Sequence, residues 1–506
     1  MNGRIFAVTA GLGCIALLAG CGSDYEPPHL ETTGRPASPL GQVVDLELTL
    51  PDLHVPGAFF RGVRLEARVE IEADGLGQHA ARVFFGPATA GGGPAELEDL
   101  SDGRTTVTIT PEDWITGILG PLLIDGMPFE LLLRGDTPDA GWTVEGDVFE
   151  TRGATVGSFE GWRRHRFLVA QTDFAFGLGR VAEVALIKNQ AVQVRQALEI
   201  VTSDTVLRVT GRAAFAVNRF TFDNLQRLDP LEDFSTTWQK TVGEGANPHD
   251  VLLVSDETGY VTRYEPPFND IRVFDPKNGK PRATIPLAEL AENPDGTPRP
   301  DRFAMAGGTV FVGLQDIDRS FEIFAEGKLA VIDPLLDEVV GVIPLGGKNP
   351  GAIEVLRGQD GRERLYVALA GVFAPPELSG GVVVVDVTNR AVERMALDDD
   401  VAGGNIGAMA MASEDLGYVV VSDEFFHNRV WAFDPREAEL LREVRDSAEY
   451  IPELEVDTSG VLAVPDRAFF EPRLCLYRLP GETDGEESLI GCGPLELPPF
   501  SVEALD

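Results

Sequence analysis

The chain has 506 residues, 43% of them apolar, and carries 81 acidic against 42 basic side chains, a net charge of −39. That length leaves room for two or three domains whose cores need no disulfide scaffold. The carboxylate excess removes any broad positive field, and with it nucleic acid or an anionic leaflet as a charge-selected partner; what remains is a solvated, aggregation-resistant surface or one that gathers cations.

In chain order, Arg4 supplies a positive start, and residues 5–18, IFAVTAGLGCIALL, form an apolar run. It is too short for a comfortable span, which needs about 20 residues. Leu18-Ala19-Gly20-Cys21 follows. These four residues resemble the bacterial lipoprotein lipobox, which implies a signal peptide over 1–20, cleavage before Cys21, and a Cys21 that carries the lipid. Gly22 rather than Asp after the cysteine implies an outer-membrane address, facing the periplasm or the surface. Residues 21–41 are polar and rich in Pro and Gly, and read as a flexible tether.

From 42 the period becomes two. Val44, Leu46, Leu48 and Leu50 alternate with acids and Thr, and Val63, Leu65, Ala67, Val69 and Ile71 alternate with Arg and Glu. Further strands are predicted at 81–85, 104–109, 128–134 and 142–149. Thr110-Pro111-Glu112-Asp113 opens a predicted helix reaching Leu122. A small β-sandwich-like domain over 42–155 is expected.

Beyond it the sequence repeats. A hydrophobic-Asp(-Pro) landmark recurs at Asp229, Asp275, Asp333, Asp386 and Asp434, at intervals near the roughly 40–50 residues of a four-stranded propeller blade. Each carboxylate is expected to accept turn N–H groups. A second motif recurs seven times: FLVAQ (167–171), FAVNR (215–219), YVTRY (260–264), FVGLQ (311–315), YVALA (366–370), YVVVS (418–422) and LAVPD (462–466). These strands, and LAVIDPLLDEVVGVIPLGGKNPGAIEV (329–355), resemble the YVTN-type β-propeller family. The resemblance implies an all-β, seven-bladed β-propeller over 156–506. It departs where Arg263 replaces the Asn of YVTN and in loops longer than the family's. Six inner strands can be read for seven blades, and LELPPFSVEALD (495–506) has the missing pattern, so the C-terminus is expected to close the ring.

The connections between second and third strands each hold a Phe: Phe174, Phe222, Phe268, Phe324, Phe373, Phe426 and Phe470. They form either a recognition rim or plugs folded back between blades. Arg219, Arg263 and Asp423 begin these connections, either for a ligand or to pair with other charges. His249 of NPHD occupies a slot that holds Gly in NPG (349–351), where an imidazole is a candidate ligand or base. Cys475 and Cys492, left after Cys14 and Cys21, are expected as a disulfide, with two buried thiols as the alternative. No C-x-x-C-H, H-E-x-x-H, G-x-S-x-G or P-loop occurs, and LDDDVAGGN (397–405) lacks EF-hand spacing. No cofactor or metal is therefore expected. The function expected is a non-catalytic binding or assembly module for an envelope protein or glycan, held to the membrane by its lipid. The alternative is a lactonase-like or redox enzyme at the channel mouth, as similar propellers imply.

Overall fold

The computed structural model describes the backbone of seven strands between residues 42 and 150, and residues 155–505 apart from 174, 176, 188–190, 211–212, 231–233, 374–375 and 482–484. Six of the seven strands fall where alternation predicts them: Gln42–Thr49, Leu65–Glu72, Ala80–Phe85, Arg104–Ile109, Pro128–Arg134 and Thr143–Glu150. Ala95–Asp99 is additional. With Thr155–Thr172 they pair along one antiparallel path. The signal segment, Cys21, the tether and the helix expected over 110–122 lie outside the described residues.

The C-terminal part is a seven-bladed β-propeller, each blade a sheet of four antiparallel strands. Blade 2 runs Thr205–Thr210, Ala213–Asn218, Asn224–Asp229, Ser235–Thr241, and blade 3 Val251–Ser255, Thr258–Arg263, Asp270–Asp275, Lys280–Pro286. Blade 4 runs Pro300–Ala306, Thr309–Leu314, Lys328–Asp333, Glu338–Pro344, and blade 5 Pro350–Arg357, Glu363–Leu369, Gly381–Asp386, Ala391–Asp398. Blade 6 is Asn405–Met411, Gly417–Ser422, Asn428–Asp434, Glu439–Ser447, and blade 7 Glu455–Val456, Val461–Asp466, Arg473–Arg478, Ser488–Pro494. Blade 1 joins the two ends of the propeller: Pro499–Ala504 is its inner strand, paired with the later half of Thr155–Thr172, which Gly179–Ile187 and Ala191–Val201 follow. The C-terminus therefore closes the ring, as its pattern predicts.

Burial explains the sequence grammar. Second strands such as Ala213–Asn218 and Gly417–Ser422 are buried along their whole length, so they read as continuous apolar runs. Outer strands such as Ala191–Val201 and Ser235–Thr241 alternate because one face is wet. Apolar clusters lie between every pair of adjacent blades. One of them spans the closure: Val502 packs with Val169 of blade 1 and with Val461 and Leu474 of blade 7. Burying one such valine contributes about 1.5–3 kcal/mol.

The repeat's glycines have a steric cause. Gly259 is in register with Phe274 and Gly417 with Phe433, and a Cβ at either glycine would stand 2.5 or 2.4 Å from the opposing ring. Landmark aspartates act in turns: Asp275 accepts from Lys277 N–H at 2.9 Å, Asp333 from Leu335 at 2.9 Å, Asp386 from Asn389 at 2.8 Å and Asp434 from Arg436 at 2.8 Å. Two acids of LDDDVAGGN are likewise engaged by backbone N–H groups. Asp398 caps the four-residue helix Asp399–Ala402, and Asp399 accepts from Gly380 N–H at 2.7 Å. Cys475 and Cys492 are register partners on neighbouring strands of blade 7 and form a disulfide.

Candidate functional site

Because strands alternate in direction, each second-to-third connection lies at the same end of the ring as the segment leading into the next inner strand. That end is the mouth of an axial cavity of about 660 Å³. Its wall holds an ion cluster in which Asp250 is buried and Arg208, Arg302, Glu453 and Glu503 are partly buried. Arg208 donates through Nε to Asp250 at 2.7 Å and through Nη1 to Glu503 at 2.6 Å and Glu453 at 3.2 Å. Arg302 donates to Glu453 at 3.1 Å. Remaining lone pairs are met locally: Glu503 accepts from Val209 N–H at 3.0 Å, and Glu453 from Ser501 Oγ at 2.7 Å. Three carboxylates thus share two guanidiniums. Burial pushes the Glu503 carboxyl up to about 8, against the pull of Arg208 and with a further push from Glu453. Burial likewise raises Asp250 to about 6, against Arg208.

His249 lies at the mouth with both ring nitrogens engaged. Nδ1 meets Asp301 at 2.8 Å and Nε2 meets the Asn247 amide at 3.3 Å. The ring stacks on Tyr264 at 3.9 Å with planes 2° apart. Tyr264 donates to Gln315 at 2.5 Å, and Gln315 donates to Asp301 at 3.0 Å. Burial lowers the imidazole's pKa against the opposing pull of Asp301, which favours the neutral ring. Hydrogen bonds from Tyr264 through Gln315 and Asp301 to His249, together with the His249–Tyr264 stack, hold the loop into blade 3.

The other sequence candidates divide into inward and outward groups. Arg263 is buried, clamps Asp270 through two bonds of 2.6 Å, and lies 4.3 Å from the centre of the Phe268 ring. Phe268 itself packs against the core between blades 2 and 3. These two residues fasten a blade rather than face solvent, as the folded-back alternative anticipates. Phe324 is half-buried in a backbone bridge with Ile317. Arg219 pairs with Asp204 at 2.6 Å and lies 5.6 Å from the Phe500 ring. Asp423 accepts from Phe425 N–H at 2.9 Å and His427 N–H at 3.0 Å, which shapes its own loop. Phe174 and the side chain of Phe373 lie outside the described residues.

Phe222, Phe426 and Phe470 turn outward, and the structure adds four phenylalanines that sequence reasoning left out: Phe220, Phe321, Phe425 and Phe469. Phe470 is 90% exposed, Phe425 79%, Phe220 68% and Phe426 58%. Three of this set hold left-handed backbone: Phe220 at φ 26°, Phe321 at φ 57° and Phe426 at φ 61°. A bulky side chain at positive φ is unfavourable by about 1–2 kcal/mol. The signal available in sequence was the doubling itself, FTF, FEIF, FF and FF in these four connections, which FAF (174–176) shares in a fifth.

Fold and site together define an all-β protein whose seven-bladed propeller presents an aromatic rim around an axial cavity. No protein family matches the sequence, and no curated protein does. Among solved structures, one similar chain is a protein from Lactobacillus plantarum, 14% identical, covering 68% of this chain and 100% of that chain, with a TM-score of 0.49. Another is a putative 6-phosphogluconolactonase from Bacteroides fragilis, 12% identical, covering 68% and 98%, with a TM-score of 0.47. The WD40 repeats of RRP9 are 11% identical, covering 57% and 79%, with a TM-score of 0.43. Likenesses this distant concern the fold, and carry neither ligand nor activity to this chain.

Proposed function

We propose that this propeller is a non-catalytic binding or assembly module that holds a protein partner on its Phe-bearing face. One observation carries the reading: the backbone is placed at positive φ at Phe220, Phe321 and Phe426, and each of these side chains is at least 48% exposed. Phe321 also covers the buried Arg299 guanidinium at 4.0 Å, whereas Phe220 and Phe426 are held outward on unfavourable backbone, and functional surfaces are where such strain collects. Aromatic anchors of this kind dominate protein interfaces. The polar groups at the channel mouth favour this reading over an enzyme, because His249 and Asp301 are satisfied by their own neighbours.

The proposal places the module in the cell envelope. Leu18–Cys21 makes it a lipoprotein, and the YVTN-like strand motifs supply its blades. The test is capture of partners from envelope fractions by the wild type and by a Phe222→Ser, Phe426→Ser, Phe470→Ser variant whose melting temperature is checked first. Loss of the captured band is expected, and equal recovery overturns the binding face. Cys21→Ser should release the protein from membranes, and retention would overturn the anchor.

A further inference from the structure

The aromatic rim is bordered by acid. Glu322 adjoins Phe321, Glu424 adjoins Phe425 and Glu471 adjoins Phe470, and all three glutamates are exposed. The segments leading into the inner strands of blades 3 and 7 add exposed Glu244 and Glu449. Both segments reach the rim connections through hydrogen bonds: Gly245 N–H to Asp223 at 2.7 Å, and Ile451 N–H to Asn428 at 3.2 Å. None of the five glutamates forms an ion pair among the described residues.

Cations on this face are mostly spent. Lys348 is held by Glu377 at 2.7 Å and Arg473 by Asp466 at 2.8 Å. Arg429 is shared at 3.8–3.9 Å among Asp423, Glu443 and Asp446. Arg319 is exposed without an ion pair among the described residues. The face therefore sets apolar anchors, on blades 2, 4, 6 and 7, among exposed glutamates that form no ion pair among the described residues, with Arg319 beside the anchor of blade 4.

We infer that the partner on this face is a cationic amphipathic polypeptide segment, whose apolar side meets the phenylalanines and whose Lys or Arg side chains meet Glu322, Glu424 and Glu471. The inference rests on the binding reading above and adds the partner's chemistry. Charge complementarity selects it: an anionic partner or an anionic lipid surface would meet exposed glutamate beside the anchors of blades 4, 6 and 7. The spread of the anchors selects an extended segment, since a small amine spans only one of them. Desolvated aromatics supply the hold, and the glutamates supply sign and register.

The test uses two fluorescent synthetic peptides of identical amphipathic pattern, one of leucine and lysine and one of leucine and glutamate. Anisotropy titrations are run against the whole protein at low and at physiological ionic strength. Three variants separate the causes. The first is Glu322→Gln, Glu424→Gln, Glu471→Gln on the rim. The second is Asp256→Asn, Glu338→Gln, Glu437→Gln, exposed acids at the opposite end of the ring, with the same change in net charge. The third is the Phe222, Phe426, Phe470 serine variant. The wild type should bind the lysine peptide and not the glutamate peptide. The rim variant should weaken binding about ten-fold and flatten its salt dependence, while the opposite-end variant leaves both unchanged. Equal weakening by the two charge variants would mean attraction to the whole −39 chain and would overturn the inference, as would equal binding of the two peptides. If the serine variant loses its captured envelope partner while the rim glutamine variant keeps it, the binding face stands and the cationic partner falls.

Discussion

Arg208 and Glu503 meet at 2.6 Å although 295 residues separate them in sequence. Arg208 belongs to the inner strand of blade 2, and Glu503 to the C-terminal strand that completes blade 1. With Asp250, Glu453 and Arg302, the pair links the inner walls of several blades to the strand that closes them. Ring closure is thus electrostatic as well as apolar, and its pH dependence follows.

Glu503 has a folded-state pKa of about 8, raised from 4.5. The folded state therefore binds the proton more tightly than the unfolded chain. Its stabilising contribution is fully present below 4.5 and is lost as pH rises toward 8. Glu503→Gln, a neutral isostere, should remove that loss. The variant is expected to be more stable than wild type at pH 9, by on the order of a few kcal/mol, and to flatten the curve of urea midpoint against pH. A variant curve that still falls between pH 5 and 8 by the wild-type amount would show that another group titrates.

Removing residues 499–506 takes away Val502 from the cluster between blades 7 and 1, and the Leu505 N–H bond to Arg166 at 2.9 Å. It also exposes the edge of the strand at 167–171. The truncated protein should unfold at lower temperature and form oligomers in size-exclusion chromatography. An unchanged melting temperature with a monomeric peak would mean that the tail does not close the ring.

Phe426 is exposed and holds φ 61°. Asn tolerates this backbone far better than Phe, so Phe426→Asn should leave stability unchanged or raise it by about 1 kcal/mol while weakening partner capture. Chemical denaturation and pull-down read the two effects separately. A loss of more than about 1 kcal/mol, well outside the usual range for a surface substitution, would mean that the ring serves the fold.

The Cys475–Cys492 bridge closes a sequence separation of 17 residues, for which loop entropy predicts about 3 kcal/mol. Cys475→Ala with Cys492→Ala should lower the urea midpoint accordingly and leave the strand register of blade 7 intact. If reduction left the midpoint unmoved, the bridge would contribute nothing to the fold.

Much of the architecture was legible because a propeller repeats one solution seven times. The spacing from RLDP to AFDP and the seven copies from FLVAQ to LAVPD marked the blades. Even the missing inner strand could be counted. The site was less legible. Arg263 and Phe268 carried the same sequence signal as Arg219 and Phe222, yet the first pair is folded into blade 3 and Phe222 stands in solvent. His249 read as a candidate ligand or base, and the neighbours that engage it, Asp301 directly and Gln315 through Asp301, come from blade 4 and were not legible beside it.

Periodicity and recurrence in the sequence alone determined strand order, blade number and the strand that closes the ring, because a strand's side chains alternate by covalent geometry and each blade must bury the same faces. Tertiary structure alone decided which phenylalanines point outward and which charges are already paired. A connection has no period to constrain it, so the direction of each side chain is set by local φ and by the neighbouring blade. Those neighbours are distant in sequence, and the acidic, aromatic face exists only once the ring has brought them together.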